Sequence, residues 1–318
     1  MIEHPDFAVE PWQLRERSLD LDFLAQTESV FALSNGHIGV RGNLDEGEPL
    51  ALPGTYLNGF HELRPLPYAE TAYGQPESGQ PVVNVTNGKV IRLLVADEPF
   101  DLRYGELLAH ERTLDFRAGT LHREAHWRSP AGQEVKVRST RLVSFTQRAV
   151  MAIAYEVEPV GETTRVVLQS ELVANEPQPA MSEDPRAAAA LEKPLRNEWA
   201  RAGMEVPGAL LVHRTAASGL RVGAGMIHAI RGPGEVGVFE EAEEDLARVT
   251  ISTQLEDGEV LRVVKFVAYG WSGTRTTPAV RDQVAAALAE AVHTGWDSLA
   301  SEHRSYLDDF WERADVEL

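Results

Sequence analysis

Between residues 28 and 270 the apolar positions come in short runs rich in β-branched and aromatic side chains, separated by Gly, Pro, Asn and Asp. Runs of this kind predict strands, and their separators predict tight turns. "PVVNV" and "KVIRLLV" flank Asn87-Gly88, a strong hairpin signal because both central residues of a type I′ turn need positive φ. Further strand pairs flank Pro130-Ala131-Gly132, Ala217-Ser218-Gly219 and Asp257-Gly258, and a short turn at Gly161 joins the runs at 148–159 and 164–174. Many strands in series with almost no helix between them predict an antiparallel sandwich rather than βαβ units, and one larger than an immunoglobulin domain. The expected fold class is mainly β.

Two stretches interrupt this pattern. Residues 175–207 hold five prolines and a four-alanine run, and read as a long excursion with one helical turn. Residues 231–245 read as a Gly/Pro turn leading into an acidic cluster. After residue 272 the period changes. Thr277-Pro278 predicts a helix start, with Thr277 as the cap. Val280, Val284, Leu288 and Val292 then repeat every four residues up to Gly295. A second helix follows, with Trp296, Leu299, Ala300, His303, Tyr306, Leu307, Phe310 and Trp311 at helical spacing. Its aromatic stripe needs a surface to cover it, supplied by this domain or by whatever lies beyond Leu318. The expected division is a β block at 1–272 and a helical segment at 273–318.

Composition narrows the functional classes. The chain carries 30 basic and 49 acidic residues, a net charge of −19, which argues against nucleic acid or an anionic membrane as partner. It has no cysteine, so disulfides, thiol catalysis and Cys-based zinc sites are excluded. The N-terminus shows no basic stretch followed by an apolar run, and no segment is apolar enough to span a bilayer, so the expectation is a cytoplasmic protein.

Candidate chemistry is sparse. Gly36, Gly39 and Gly42 tempt a phosphate-loop assignment, but their spacing matches neither the G-x-G-x-x-G fingerprint nor a P-loop, since Asn43 stands where a P-loop has lysine. Asn35-Gly36 is expected to turn between two strands, with Gly39 and Gly42 allowing bulges or close packing. His122 and His126 have zinc-like spacing for a helix, but on a strand they stand about 13 Å apart and cannot share one ion. Glu240, Glu241, Glu243, Glu244 and Asp245 form a solvated charge run, where burial does not raise a pKa. No G-x-S-x-G elbow is present. Tyr56, Phe60, Tyr68, Tyr73 and Trp127 are candidates for an aromatic sugar platform, with core packing as the commoner use of such residues.

"ESVFALSNGHIGVRG" followed by "GTYLNGFHE" resembles the N-terminal signature of the family 65 glycoside hydrolases and phosphorylases, which include maltose, trehalose and kojibiose phosphorylases. The resemblance continues through "AYGQPESGQPVVNVTNGKVIRLLVADEPFDL", "RTLDFRAGTLHREAHWRSPAG", "STRLVSF" and "SELVANEP" into "YLDDFWERADVEL", and so covers nearly the whole chain. It implies an N-terminal β-super-sandwich, similar in shape to galactose mutarotase, two linker helices, and then an (α/α)6 barrel. The family's catalytic glutamate and phosphate loop belong to that barrel, so no catalytic residue, cofactor or metal ligand is assigned to this chain. The resemblance further implies an inverting cleavage of an α-glucosidic disaccharide, with inorganic phosphate as co-substrate if the protein is a phosphorylase. It names the barrel of the same polypeptide as partner and leaves a homodimer open. Asn35, His37, Tyr56, Asn58, Phe60, His61, Glu62 and Trp127 are the candidate sugar or interdomain contacts. A free-standing carbohydrate-binding module and a mutarotase-like epimerase are the alternatives. The epimerase needs a convergent Glu/His pair on a concave sheet face, and the sequence does not identify one.

Overall fold

The computed structural model describes residues 7–65, 73, 74, 76, 78–177 and 193–315. Tyr68 and the alanine run at 187–190 lie outside the described residues. The strand-rich stretch folds into two packed antiparallel sheets, as its period predicts. Across the larger sheet the order is Phe7–Glu10, Gln13–Glu16, Glu106–Asp115, Thr120–Arg128, Glu134–Val143, Val150–Val160, Leu261–Ser272, Arg221–Arg231, Gly208–Thr215 and Leu195–Ala202. The smaller sheet runs Gly237–Ala242, Leu246–Leu255, Thr164–Val173, Ile91–Val95 and Glu98–Pro99. Between them lies the main core, with Val135, Val137, Ile153 and Val263 of the larger sheet buried against Val166, Leu168, Val249 and Ile251 of the smaller.

Three expectations need correction. Asn87-Gly88 is not a hairpin turn. Gly88 passes flat against Tyr269, donating its N–H to the phenol oxygen at 3.1 Å, and Asn87 bridges to Val173 instead. A long-range partner wins over the local turn preference. The turns at Gly161 and Asp257-Gly258 are real, but they carry the chain from one sheet to the other rather than pairing neighbours. These crossovers lie side by side, with Gly161 N–H on the Asp257 carboxylate at 2.7 Å. The excursion at 175–207 contains an edge strand, Leu195–Ala202.

The outer face of the larger sheet is covered by the helical segment Thr277–Ala314, which breaks at Gly295 (φ 72°) into the two expected helices. Its cap is Thr276, one residue earlier than the sequence suggests. Val280, Val284 and Leu288 are fully buried against Leu142, Val150, Ala152 and Phe266, forming a second core. The helix lies close because glycines stand beneath it. A Cβ on Gly225 would come within 2.7 Å of Leu288 and one on Gly223 within 2.9 Å of Val284.

Candidate functional site

The glycine-rich signature folds into a small three-stranded sheet, Leu33–Ser34, Ile38–Val40 and Thr55–Leu57. Gly36 (φ 79°) makes the first turn, as expected. Gly42 is a close approach: a Cβ there would sit 2.5 Å from the Phe31 Cβ. Gly39 has ordinary room, so the close-packing expectation holds at Gly42 and not at Gly39.

Asn35 is the tie that holds the turn. Its Oδ1 accepts the N–H groups of His37 and Ile38 at 2.9 and 2.8 Å. Its Nδ2 donates to the carbonyls of Ser144 and Arg148 at 2.6 and 2.9 Å. His37 is half-buried; burial and the nearby Arg148 charge hold its imidazole below the usual range, hence neutral. Gly39 lies opposite Tyr56, and Asn58 N–H donates to the His37 carbonyl at 2.9 Å, so the register brings His37, Tyr56 and Asn58 onto one small sheet. Tyr56 and Asn58 are exposed and His61 is half-buried, its Nδ1 3.1 Å from the Gly59 carbonyl.

The other candidates are interior. Phe60 is fully buried, edge-on to Trp271 at 6.1 Å. Trp127 is fully buried on the inner face of the larger sheet, its ring tilted against that of Phe100 with centroids 4.9 Å apart, and it donates Nε1–H to the Tyr104 carbonyl at 2.9 Å. Neither can meet a sugar or a neighbouring domain, because their apolar area is spent on the core. Glu62 is also buried. Its carboxylate accepts the N–H groups of Leu63, Ala217 and Ser218, and although burial works to raise its pKa, these donors hold it below the ordinary carboxylate value. Tyr73 is fully exposed. His122 and His126 are separated as expected, His122 between Thr120 and Thr140 and His126 on Glu134 at 3.0 Å. Among the described residues no group of three His, Asp or Glu could hold a metal ion.

The sequence did not reveal a cluster of buried charges on the inner sheet face. Glu16, Arg112, Arg123, Ser139 and Tyr155 lie in one row across five strands. The segment after Gly42 lies over this row and inserts Asp45 and Glu46. Asp45 pairs with Arg141, and Glu46 takes Arg123 at 2.8 Å and the Tyr155 hydroxyl at 2.7 Å. Burial works to raise Asp45, and the charges of Arg141 and Arg123 pull it below the ordinary value. Parity was the available signal: Arg123 shares its face with Leu121, Ala125 and Trp127.

The same face holds a Glu/His pair of the kind an epimerase would need. His110 Nε2 lies 3.0 Å from a Glu16 oxygen, but Arg112 forks the same carboxylate at 2.6 and 3.0 Å and also donates to the Gly42 carbonyl. Both side chains are at most 2% exposed. The pair is closed to a sugar and saturated by arginine. Two lysines are interior as well. Lys89 donates to the Gly54 carbonyl and Thr55 hydroxyl, Lys265 to the carbonyls of Val90 and Glu171, and burial pushes each down to about 7.

The model of the glycosyl hydrolase family 65 N-terminal domain matches residues 14–310. This chain belongs to that family. Relatives that it resembles include an uncharacterised glycosyl hydrolase of Mycobacterium tuberculosis, 60% identical over all of this chain and 40% of its own length. The α,α-trehalose phosphorylase of Thermoanaerobacter brockii is 29% identical over 98% of this chain and 41% of its own. The solved structure of a putative kojibiose phosphorylase from human microbiome matches the fold with a TM-score of 0.84 at 20% identity, over 98% of this chain and 40% of that one. The chain thus spans about two fifths of the length of these relatives. Among the described residues no helix is long and apolar enough to cross a membrane.

Proposed function

We propose that this chain is the accessory domain of a longer α-glucoside phosphorylase or hydrolase, packed on the catalytic barrel of the same polypeptide and shaping the rim of its active site. The observation that carries this reading is the match of nearly the whole chain to a family 65 N-terminal domain, while the relatives run on for more than half their length. The inner face supports it. Glu16, Asp45 and Glu46 are each paired with an arginine, so none of the three is free to protonate a glycosidic oxygen. In this reading the barrel supplies the acid, inorganic phosphate or water is the nucleophile, and the substrate is a disaccharide such as trehalose, maltose or kojibiose. A cytoplasmic homodimer is the setting it expects.

The test is to incubate the isolated chain with these disaccharides, with and without phosphate. No glucose and no glucosyl phosphate are expected, and turnover by the isolated chain would overturn the reading. Of the aromatic candidates on the small sheet, the rival carbohydrate-binding module keeps Tyr56, which is exposed. Calorimetric titration with α-glucosides should give no heat that Tyr56→Ala removes.

A further inference from the structure

The second linker helix covers only part of its apolar stripe. Leu299, His303 and Leu307 are buried, but Tyr306 and Phe310 remain 48% and 44% exposed, and Phe116 opposite them 44%. These three aromatics wall a groove of about 310 Å³ whose floor is Leu33, Leu114 and Val143. Tyr306 stacks on Phe145, with ring centroids 5.2 Å apart. Folding of this chain leaves that surface in water, and contiguous exposed apolar area of this kind marks an interaction site.

The two ends of the family signature meet here. One side of the groove is Ala32–Ser34, from "FALSNG", and the other is the "YLDDFW" helix. The parts around the groove are tied to one another by hydrogen bonds. Asn35 ties the glycine turn to the carbonyls of Ser144 and Arg148. Gln147 donates to Thr294 beside the helix break. His303 binds both the Phe145 N–H and the Gly119 carbonyl. Groove, glycine turn and helix therefore form one block.

We infer that this groove seats the polypeptide that follows the domain in its longer relatives, taking an apolar helix or loop of the catalytic part. This rests on the accessory-domain reading above. The helix that walls the groove ends at Ala314, one turn beyond the groove-lining Trp311, so the point from which the longer relatives continue lies next to the groove. The walls favour a covalently following partner over the other occupants. Asp308 is paired with Arg117 and Arg304, but a second copy would set Asp309 and Glu312 against their own counterparts in a chain of net charge −19. A sugar would need polar groups beside the aromatics, and Asp115 is engaged by the Ala118 N–H at 2.7 Å.

The test joins this chain, after Leu318, to the remainder of the 60% identical Mycobacterium tuberculosis relative and compares amide hydrogen exchange with the isolated chain. Exchange in 32–36, 116–120 and 304–312 is expected to slow by about tenfold or more in the joined protein, while the exposed turn at 130–132 is unchanged. Phe310→Asp, at an exposed position, should abolish that protection in the joined protein and leave the isolated chain folded. Protection of a different face instead would overturn the groove assignment and leave the accessory-domain reading standing. No protection anywhere would overturn both.

Discussion

Arg123 and Glu46 meet at 2.8 Å in the interior of the sandwich, the guanidinium from a strand of the larger sheet and the carboxylate from the segment after the glycine turn. Both side chains are at most 2% exposed, and Glu46 also holds the Tyr155 hydroxyl. The segment is thus anchored by charge as well as by apolar packing.

Removing one partner of such a pair leaves the other buried and uncompensated. Glu46→Ala is expected to cost about 3–5 kcal/mol in urea unfolding. Glu106→Ala, which breaks an exposed contact with Arg128, is expected to cost less than about 1 kcal/mol. Equal losses in the two variants would show that the Glu46 segment is not held by its ion pair.

The buried titratable groups set an unusual pH profile. Lys89 and Lys265 fall to about 7 in the folded protein against 10.5 when unfolded, so between those values the unfolded chain binds more protons. Stability therefore rises with pH from 7 towards 10. His110 and His228 are also lowered, chiefly by burial, and Asp45 and Glu16 are held low by their partners against burial. All four lose stability as pH falls, the histidines below 6.5 and the carboxylates below about 4. Tyr269 is raised by burial, which closes the window above about pH 10. The expected maximum is alkaline, and Lys89→Met should flatten the rise between pH 7 and 9. A maximum near pH 6 would contradict the assignment of these lysines as buried and weakly basic.

How much of this was legible in the residues depends on the range of the interaction. The strand runs, the turns at Gly36, Ala131 and Ser218, and the helix break at Gly295 are local, set by period and by residues that tolerate positive φ. The pairing at Asn87-Gly88 and the sheet crossing at Gly161 depend on partners nearly a hundred residues or more away, Tyr269 and Asp257, which no local pattern announces. Trp127 shows the same limit for the site. Its type suited a sugar platform, but its parity with Leu121 and Ala125 placed it inside. The ladder from Glu16 to Tyr155 was hidden because charged residues on a strand read as solvent-facing until their register is known.

Glycine substitutions separate turn geometry from helix docking. A Cβ added at Gly36 (φ 79°) would meet nothing within 4 Å, so Gly36→Ala should cost only the strain of its backbone, about 1 kcal/mol. At Gly119 (φ 63°) the added Cβ would stand 2.5 Å from Leu307 and 2.7 Å from His303 Nε2. Gly119→Ala is expected to cost about 1–3 kcal/mol more than Gly36→Ala and to open the helix at 296–314 to limited proteolysis. Equal stability in the two variants would show that His303 and Leu307 are not seated on Gly119.

In the accessory-domain proposal this chain assists a catalytic part without performing the chemistry. One assay tests it most directly: formation of glucosyl phosphate or free glucose from trehalose, maltose and kojibiose, measured side by side for the isolated chain and for the protein joined to the Mycobacterium tuberculosis remainder. The account predicts no product from the isolated chain and product from the joined protein. Product from the isolated chain alone would contradict it.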